Sequence, residues 1–334
     1  MKSLFFHIGF PKTGTTTLYK HILPKLEQVE VYAPNTNQKL LNSLYDKDLL
    51  NKNMILKDFL ETFLYSDKYT EIALDILRES RSDKVLLSTV NLMAFQFLKG
   101  RAVQDGTYID AEKIAKRIKE IFGSHFNIKI MITVREQSEW IHSAFAEWQK
   151  AWSSAAGGGD IEQFVNLCVE TGSAQNLALD YHRLGRIFEE HFGRENIQFF
   201  LYEQLISNSH NFYSSIVDWF GASINQTNFE LMPRENNRSL KDGEKVTEPS
   251  SLFMILFSLK MRHFPNIRLN LLKFSPQLIR FLNAVVFSKG HSVVLSQENK
   301  LRIKKRFRDS NILFFDRYID DKQSSLKVVY NSNL

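Results

Sequence analysis

The stretch Phe5-Phe6-His7-Ile8-Gly9-Phe10-Pro11-Lys12-Thr13-Gly14-Thr15-Thr16-Thr17-Leu18 constrains the fold more than any other part of the chain. Ser3 to Ile8 is a short apolar run rich in aromatics and bounded by Gly9 and Pro11, the pattern of a buried strand. Beyond the turn, Leu18, Ile22 and Leu23 recur at helical spacing until Pro24 stops them. A strand, a glycine-bounded turn and a helix N-terminus together form an anion site, because the first backbone N–H groups of a helix lack an internal partner. The hydroxyls of Thr13, Thr15, Thr16 and Thr17 add donors at the same end.

Gly9 and Gly14 have the spacing of the Walker A phosphate loop, G-x-x-x-x-G-K-[ST], but the Lys is displaced. Thr15 follows the second glycine and Lys12 lies inside the loop. A nucleotide triphosphatase needs its Lys directly after that glycine to reach the β/γ-phosphates, so a P-loop kinase using ATP and Mg²⁺ is the alternative rather than the leading expectation. Phe10-Pro11-Lys12-Thr13-Gly14-Thr15-Thr16-Thr17-Leu18 instead resembles the 5′-phosphosulfate loop of the sulfotransferases that use 3′-phosphoadenosine 5′-phosphosulfate (PAPS). Within that family it looks most like a soluble bacterial branch whose loop begins His-Ile-Gly and ends Lys-Thr-Gly-Thr-Thr.

Along the rest of the chain, Val29 to Ala33 and Val85 to Thr89 read as strands, and Ile128 to Val134 as a continuous buried strand. Between them, apolar residues fall at helical spacing in Lys57 to Arg78, and Asp110 to Ile121 is a marked amphipathic helix. The alternation predicts an α/β chain with a central parallel sheet flanked by helices, whose ligands gather at the carboxyl ends of strands. The resemblance makes this the P-loop NTPase-like sulfotransferase fold, a single domain over 1–334 with 241–295 as a basic, helical insertion. With 43% hydrophobic residues in 334 the chain can bury a large core. Cys168 is the only cysteine, so no intramolecular disulfide forms and a reducing compartment is expected. Residues 1 to 8 lead straight into the first strand without a signal peptide, and later apolar runs are short or broken by charge. A cytoplasmic protein is the expectation.

A second motif, Val134-Arg135-Glu136-Gln137-Ser138-Glu139-Trp140-Ile141-His142-Ser143-Ala144-Phe145, follows the strand ending at Val134. Arg135 leaves the strand end, and Ser143 sits two turns along a helix starting near Ser138. The guanidinium offers a planar fork to a dianion and the hydroxyl one more donor; the resemblance implies that the two clamp the 3′-phosphate of PAPS. Many family members have Asp-Pro after this Arg, where the chain has Glu136-Gln137. Trp148 to Asp160 reads as a flexible loop, Ile161 to Cys168 and Leu177 to Phe192 as helices, and Ile197 to Glu203 as a strand running into Tyr-Glu. By resemblance Tyr202 packs near the adenine, and Arg238, within Arg234 to Leu240, folds over the cofactor. Phe212 to Phe220 and Ser296 to Arg308 read as helices, and Asp309 to Leu313 resembles the family's closing segment.

The expected reaction is transfer of a sulfuryl group from PAPS to a hydroxyl or amine, leaving adenosine 3′,5′-bisphosphate, with Lys12 and the loop amides stabilising the departing oxygen. No metal is expected, since the loop and Lys12 supply the neutralisation that Mg²⁺ gives kinases. The positions where relatives carry a general base offer Asn35, Thr36, Val90 and Asn91, which leaves His7 as the candidate base and a catalytically inert PAPS-binding protein as a further alternative. From Phe257 to Arg308 twelve Lys or Arg face a single acid, Glu298. The resemblance implies a glycan or lipid-linked acceptor, and that stretch suits an amphiphilic or anionic acceptor and a peripheral contact with the inner face of a membrane. It contains no recognised nucleic-acid module, so no nucleic-acid partner is expected.

Overall fold

A computed structural model describes residues 1–33, 70–88, 111–152, 161–174, 177–224, 229, 246–248, 289–291 and 294–331. Asn35, Thr36, Val90, Asn91, Arg238, the glycine-rich run 153–160, most of 57–78 and most of 241–295 lie outside the described residues.

Five apolar runs form one sheet: β1 (Ser3–Gly9), β2 (Glu30–Tyr32), β3 (Lys84–Ser88), β4 (Asn127–Val134) and β5 (Ile197–Leu201). Their order is β2-β3-β1-β4-β5 and every neighbouring pair is parallel. The chain therefore starts in the middle of the sheet, builds β2 and β3 on one side, then crosses to build β4 and β5 on the other. The reversal lies between β1 and β4, and at such a switch point two loops leave the strand ends in opposite directions and open a crevice. The loop from β1 is Gly9 to Gly14, and the segment leaving β4 begins at Arg135.

The pleat sends alternate side chains into two apolar layers. Leu4, Phe6 and Ile8 join Val85, Leu87, Ile128, Ile130, Ile132, Phe199 and Leu201 on one face. Phe5, Leu86, Met131 and Phe200 lie on the other. The first face is covered by α2 (Thr70–Arg78), α3 (Ala111–Phe122), α4 (Gln137–Trp152), α5 (Ile161–Thr171), α6 (Tyr181–Phe192) and α9 (Gln297–Tyr318), with Tyr330 of α10 (Lys327–Asn331). The second is covered by the segment after Gly14, by α7 (Tyr202–Ser207) and by α8 (Ser209–Phe220). The α8 helix ends at Gly221 with φ 55, a left-handed cap that glycine adopts without steric cost. The sheet, its parallel sense and its helical flanks agree with the sequence expectation.

Several boundaries differ. The helix expected after the phosphate loop is a single α turn, α1 (Thr15–Thr17), continued by a π turn at Leu18–Ile22 and a 3₁₀ turn at Leu23–Lys25, where Pro24 stands. The α4 helix runs to Trp152, through tryptophans expected to open a loop. The helix expected from Leu177 starts at Tyr181 instead, because Asp180 accepts from the Arg183 amide at 2.8 Å and caps it, while Leu177–Ala178 pairs antiparallel with Ser173–Ala174. Ser296 caps α9 through the Asn299 amide, and α9 continues to Tyr318, so Asp309 to Leu313 lie within a helix. Among the described residues no helix is long and apolar enough to cross a membrane.

Candidate active site

Each of the three central strands carries a buried polar side chain near its carboxyl end: His7 on β1, Ser88 on β3 and Thr133 on β4. All three are fully buried. His7 pairs with Ser88 in the sheet register, and its Nδ1 lies 2.7 Å from Ser88 Oγ while Nε2 lies 3.3 Å from Thr133 Oγ1. Burial holds the imidazole neutral, pulling its pKa down to about 3 against a smaller opposing contribution from Gly9. Thr133 Oγ1 also contacts the Gly9 carbonyl and Thr13 Oγ1, each at 2.7 Å. Thr13 in turn donates to the Phe10 carbonyl at 2.5 Å. The Thr13 hydroxyl is thus engaged inside the protein, beneath the loop, rather than added to its outer donors.

From above, the loop is held by the second motif. Trp140 of α4 donates its indole N–H to the Pro11 carbonyl at 2.8 Å, and the Phe10 ring meets the Trp140 and Tyr181 rings edge to face at 5.9 and 5.7 Å. Between these anchors Lys12 adopts φ 68 and Gly14 φ 80, two consecutive departures from the ordinary backbone within three residues. The amides of Thr17 and Leu18 go to the Gly14 carbonyl at 3.0 and 3.2 Å. A Cβ added at Gly14 would stand 3.5 Å from the Tyr202 ring and 2.5 Å from Leu205 Cδ2, so Tyr202 and Leu205 pack directly on the bare glycine.

Tyr202 joins the two motifs, because the Arg135 guanidinium lies 4.8 Å from its ring centroid. Arg135 is also paired through Nη2 with Glu139 Oε2 at 3.3 Å, and Glu139 Oε1 accepts from Lys300 of α9 at 3.1 Å. Burial works against the Glu139 charge, but the Lys300 bond and the charges of Lys300, Arg135 and His142 hold its carboxyl below the usual range. Ser143, half-buried, stands four residues after Glu139 and therefore on the same face of α4.

The backbone beneath Arg135 is fixed by a polar layer. Tyr181 donates its hydroxyl to the Arg135 carbonyl at 2.6 Å. Glu136 caps α4 through the Glu139 amide at 3.0 Å and accepts from Ser138 Oγ at 2.5 Å, while its own amide donates to Glu203 Oε1 at 2.8 Å. Tyr330 donates to Glu203 Oε2 at 2.7 Å. Burial pushes the Glu203 carboxyl above its ordinary value in spite of these donors and of the nearby Arg135 charge. Gln137 and Asn311 exchange bonds at 2.8 and 3.2 Å, which ties the start of α4 to the middle of α9.

The structure thus gathers the loop residues Gly9 to Gly14, Arg135 and Tyr202 at one end of the sheet, with Ser143 on the adjoining helix face. His7 lies below the loop and is closed off from its surface. Trp140, Thr133, Glu139 and Lys300 escaped notice. For Thr133 a signal existed, a hydroxyl in the apolar run of β4; for Lys300 none did, because it lies in a charge run 161 residues from its partner. That run is in part internal: Arg302 bonds Glu162 and Asn166 at 2.8 and 2.6 Å, and Arg306 donates to the Val169 carbonyl at 2.9 Å.

No family model matches the chain, and no curated protein matches it. Among solved structures it is similar to a sulfotransferase from Alicyclobacillus acidocaldarius, at 15% identity and a TM-score of 0.43 over 71% of this chain and 87% of that one. It is similar to mouse sulfotransferase SULT7A1 complexed with PAP, at 13% identity and a TM-score of 0.42 over 100% and 90%. A sulfotransferase domain from the curacin biosynthetic pathway matches at 14% identity and a TM-score of 0.38 over 68% and 76%. Likenesses at this level assign neither family nor activity.

Proposed function

We infer that the chain transfers a sulfuryl group from PAPS to a hydroxyl or amine of an acceptor, a glycan or a glycolipid. The observation that carries this reading is the meeting of two motifs at the switch point of the sheet: the Lys12 loop and Arg135 leave adjacent strands and are joined by Tyr202 over the bare Gly14. The residues fit a ligand with anionic groups at two ends, for which the donor set is a lysine, a guanidinium, hydroxyls and a glycine cradle.

PAPS would supply the activated sulfuryl group. Lys12 and the backbone of Thr13, Gly14, Thr15, Thr16 and Thr17 would hold its 5′ end, Lys12 neutralising charge where the leaving oxygen develops it. Arg135 and Ser143 would hold the 3′-phosphate, and Tyr202 would pack near the adenine. To His7 we give a positioning part in place of the base: a neutral imidazole at zero exposure cannot reach an acceptor, but it fixes Thr133 and through it Thr13 and Gly9. The same burial favours the second reading, a protein that binds PAPS without turning it over. A cytoplasmic setting and a peripheral contact of 257–308 with the inner face of a membrane belong to the same proposal. Within that stretch Lys300 and Arg302 are paired with Glu139 and Glu162, and Arg306 donates to the Val169 carbonyl while staying exposed.

Calorimetric titration with adenosine 3′,5′-bisphosphate and, separately, with ATP plus Mg²⁺ tests the reading on wild type, Lys12→Ala and Arg135→Ala. Tight bisphosphate binding that is lost in Arg135→Ala, with ATP weaker, is the expected result. Preference for ATP or indifference to Arg135 overturns it. With PAPS and a sugar acceptor, Lys12→Ala is expected to lower turnover by about 10²–10³-fold, the usual effect of removing one preorganised donor.

A further inference from the structure

Among the described residues the Arg135 guanidinium is in contact with Tyr202 and paired with Glu139, and the two differ in kind. The Tyr202 ring offers its face at 4.8 Å and leaves the guanidinium edges open. Glu139 occupies one of those edges, with Oε2 3.3 Å from Nη2. A carboxylate and a phosphate compete for the same N–H edges, and the dianion is the stronger partner. Any phosphate held between Arg135 and Ser143 would also lie across Glu139, which stands between them on the helix face. Such a phosphate would meet a carboxylate of its own sign.

The geometry supplies a resolution in the other oxygen of Glu139, which already accepts from Lys300 Nζ at 3.1 Å. Lys300 reaches it from the first turn of α9, which covers the same face of the sheet as α4. The side chains of Arg135, Glu139 and Lys300 are 18, 41 and 26% exposed, so the pair lies at the edge of the site where a ligand can enter. We propose that Glu139 is an exchangeable partner of Arg135: it orients the guanidinium, and on phosphate binding it passes to Lys300 alone. Lys300 is then a positioning residue for the phosphate clamp and does not touch the ligand. This rests on the reading of Arg135 as a 3′-phosphate ligand.

The test is a double-mutant cycle on the full chain, titrated with adenosine 3′,5′-bisphosphate and with adenosine 5′-phosphate, which lacks the 3′ group. Lys300→Met removes the cation that draws Glu139 off Arg135 and is expected to weaken bisphosphate binding by about 3- to 10-fold, within the range of a partly exposed charge pair. Glu139→Gln removes the competitor and is expected to keep or strengthen it. In the Glu139→Gln background, Lys300→Met is expected to have no further effect. Adenosine 5′-phosphate is expected to bind all four forms alike. Melting temperatures report folding, and Lys300→Gln replaces Lys300→Met should the latter unfold.

Equal weakening by Lys300→Met in both backgrounds means that Lys300 touches the ligand, and overturns the exchange. Weaker binding by Glu139→Gln alone makes Glu139 a fixed support for Arg135, and overturns it as well. So does a Lys300→Met that binds like wild type. These outcomes leave the PAPS reading intact as long as Arg135→Ala loses the bisphosphate; a wild type that binds none, or an indifferent Arg135→Ala, overturns both.

Discussion

The indole N–H of Trp140 lies 2.8 Å from the carbonyl of Pro11, and through this bond the helix that follows Arg135 holds the loop that contains Lys12. The two motifs are 124 residues apart from Pro11 to Arg135 in the chain, and here they are one mechanical unit. Trp140 is fully buried, so the Pro11 carbonyl has no water to turn to. Trp140→Phe keeps much of the ring volume but leaves that carbonyl unpaired, which costs about 1–3 kcal/mol. Denaturant unfolding is expected to show this loss. Bisphosphate binding is expected to weaken as well, because the loop loses its outer anchor.

Beneath the loop, His7 sets an acid limit. Its folded pKa, about 3, lies below the ordinary 6.5 because burial disfavours the imidazolium. The stability it contributes is therefore complete above 6.5 and is lost as pH falls from 6.5 towards 3. The slope for one such group is about 1.4 kcal/mol per pH unit. Urea unfolding at a series of pH values from 7.5 to 4 is expected to show this slope in wild type. In His7→Gln the slope is expected to be shallower by one proton; an unchanged slope would assign the acid loss to other groups.

Much of this arrangement is written locally. The strands β1, β3 and β4 are largely apolar runs bounded by breakers, and each is legible to within a residue, as is the glycine-bounded turn after β1. What local pattern does not carry is the register. His7, Ser88 and Thr133 are each a buried polar residue near the carboxyl end of a largely apolar strand, and only the order β3-β1-β4 brings them into one cluster. The same holds for Glu139 and Lys300, whose pairing depends on α9 crossing α4. The segment after the loop departs from a regular helix for another reason: its apolar spacing is helical throughout, yet Pro24 removes an amide donor and the run closes through wider and tighter turns.

Glu203 has the opposite sign from His7. Burial raises its carboxyl above the ordinary 4.5, so the folded state holds that proton more tightly than the unfolded chain does. The stability tied to that proton is present below 4.5 and is lost as pH rises through the folded value. At pH 7.5 Glu203→Gln mimics the protonated group, keeps an acceptor for the Glu136 amide and removes the buried charge. Its melting temperature is expected to equal or exceed that of wild type at pH 7.5, with the advantage shrinking at pH 5. A large loss at both pH values would mean that the charge itself, facing Arg135, holds the site together.

Gly14 is where backbone and packing demand the same residue. Its φ of 80 is a left-handed conformation that costs a residue with a Cβ about 1–2 kcal/mol. The added methyl would also stand 2.5 Å from Leu205 Cδ2, well inside contact, though only 3.5 Å from Tyr202, an ordinary distance. Gly14→Ala is thus expected to lower stability by the backbone cost plus the displacement of Leu205. Adding Leu205→Ala separates the two, because it removes the clash and leaves the backbone strain; the double variant is expected to regain bisphosphate affinity more than stability, since Leu205 is itself a buried core residue. If affinity stays lost when Leu205 is shortened, the left-handed turn alone sets the shape of the anion loop, and the Tyr202 and Leu205 packing on Gly14 follows from that turn.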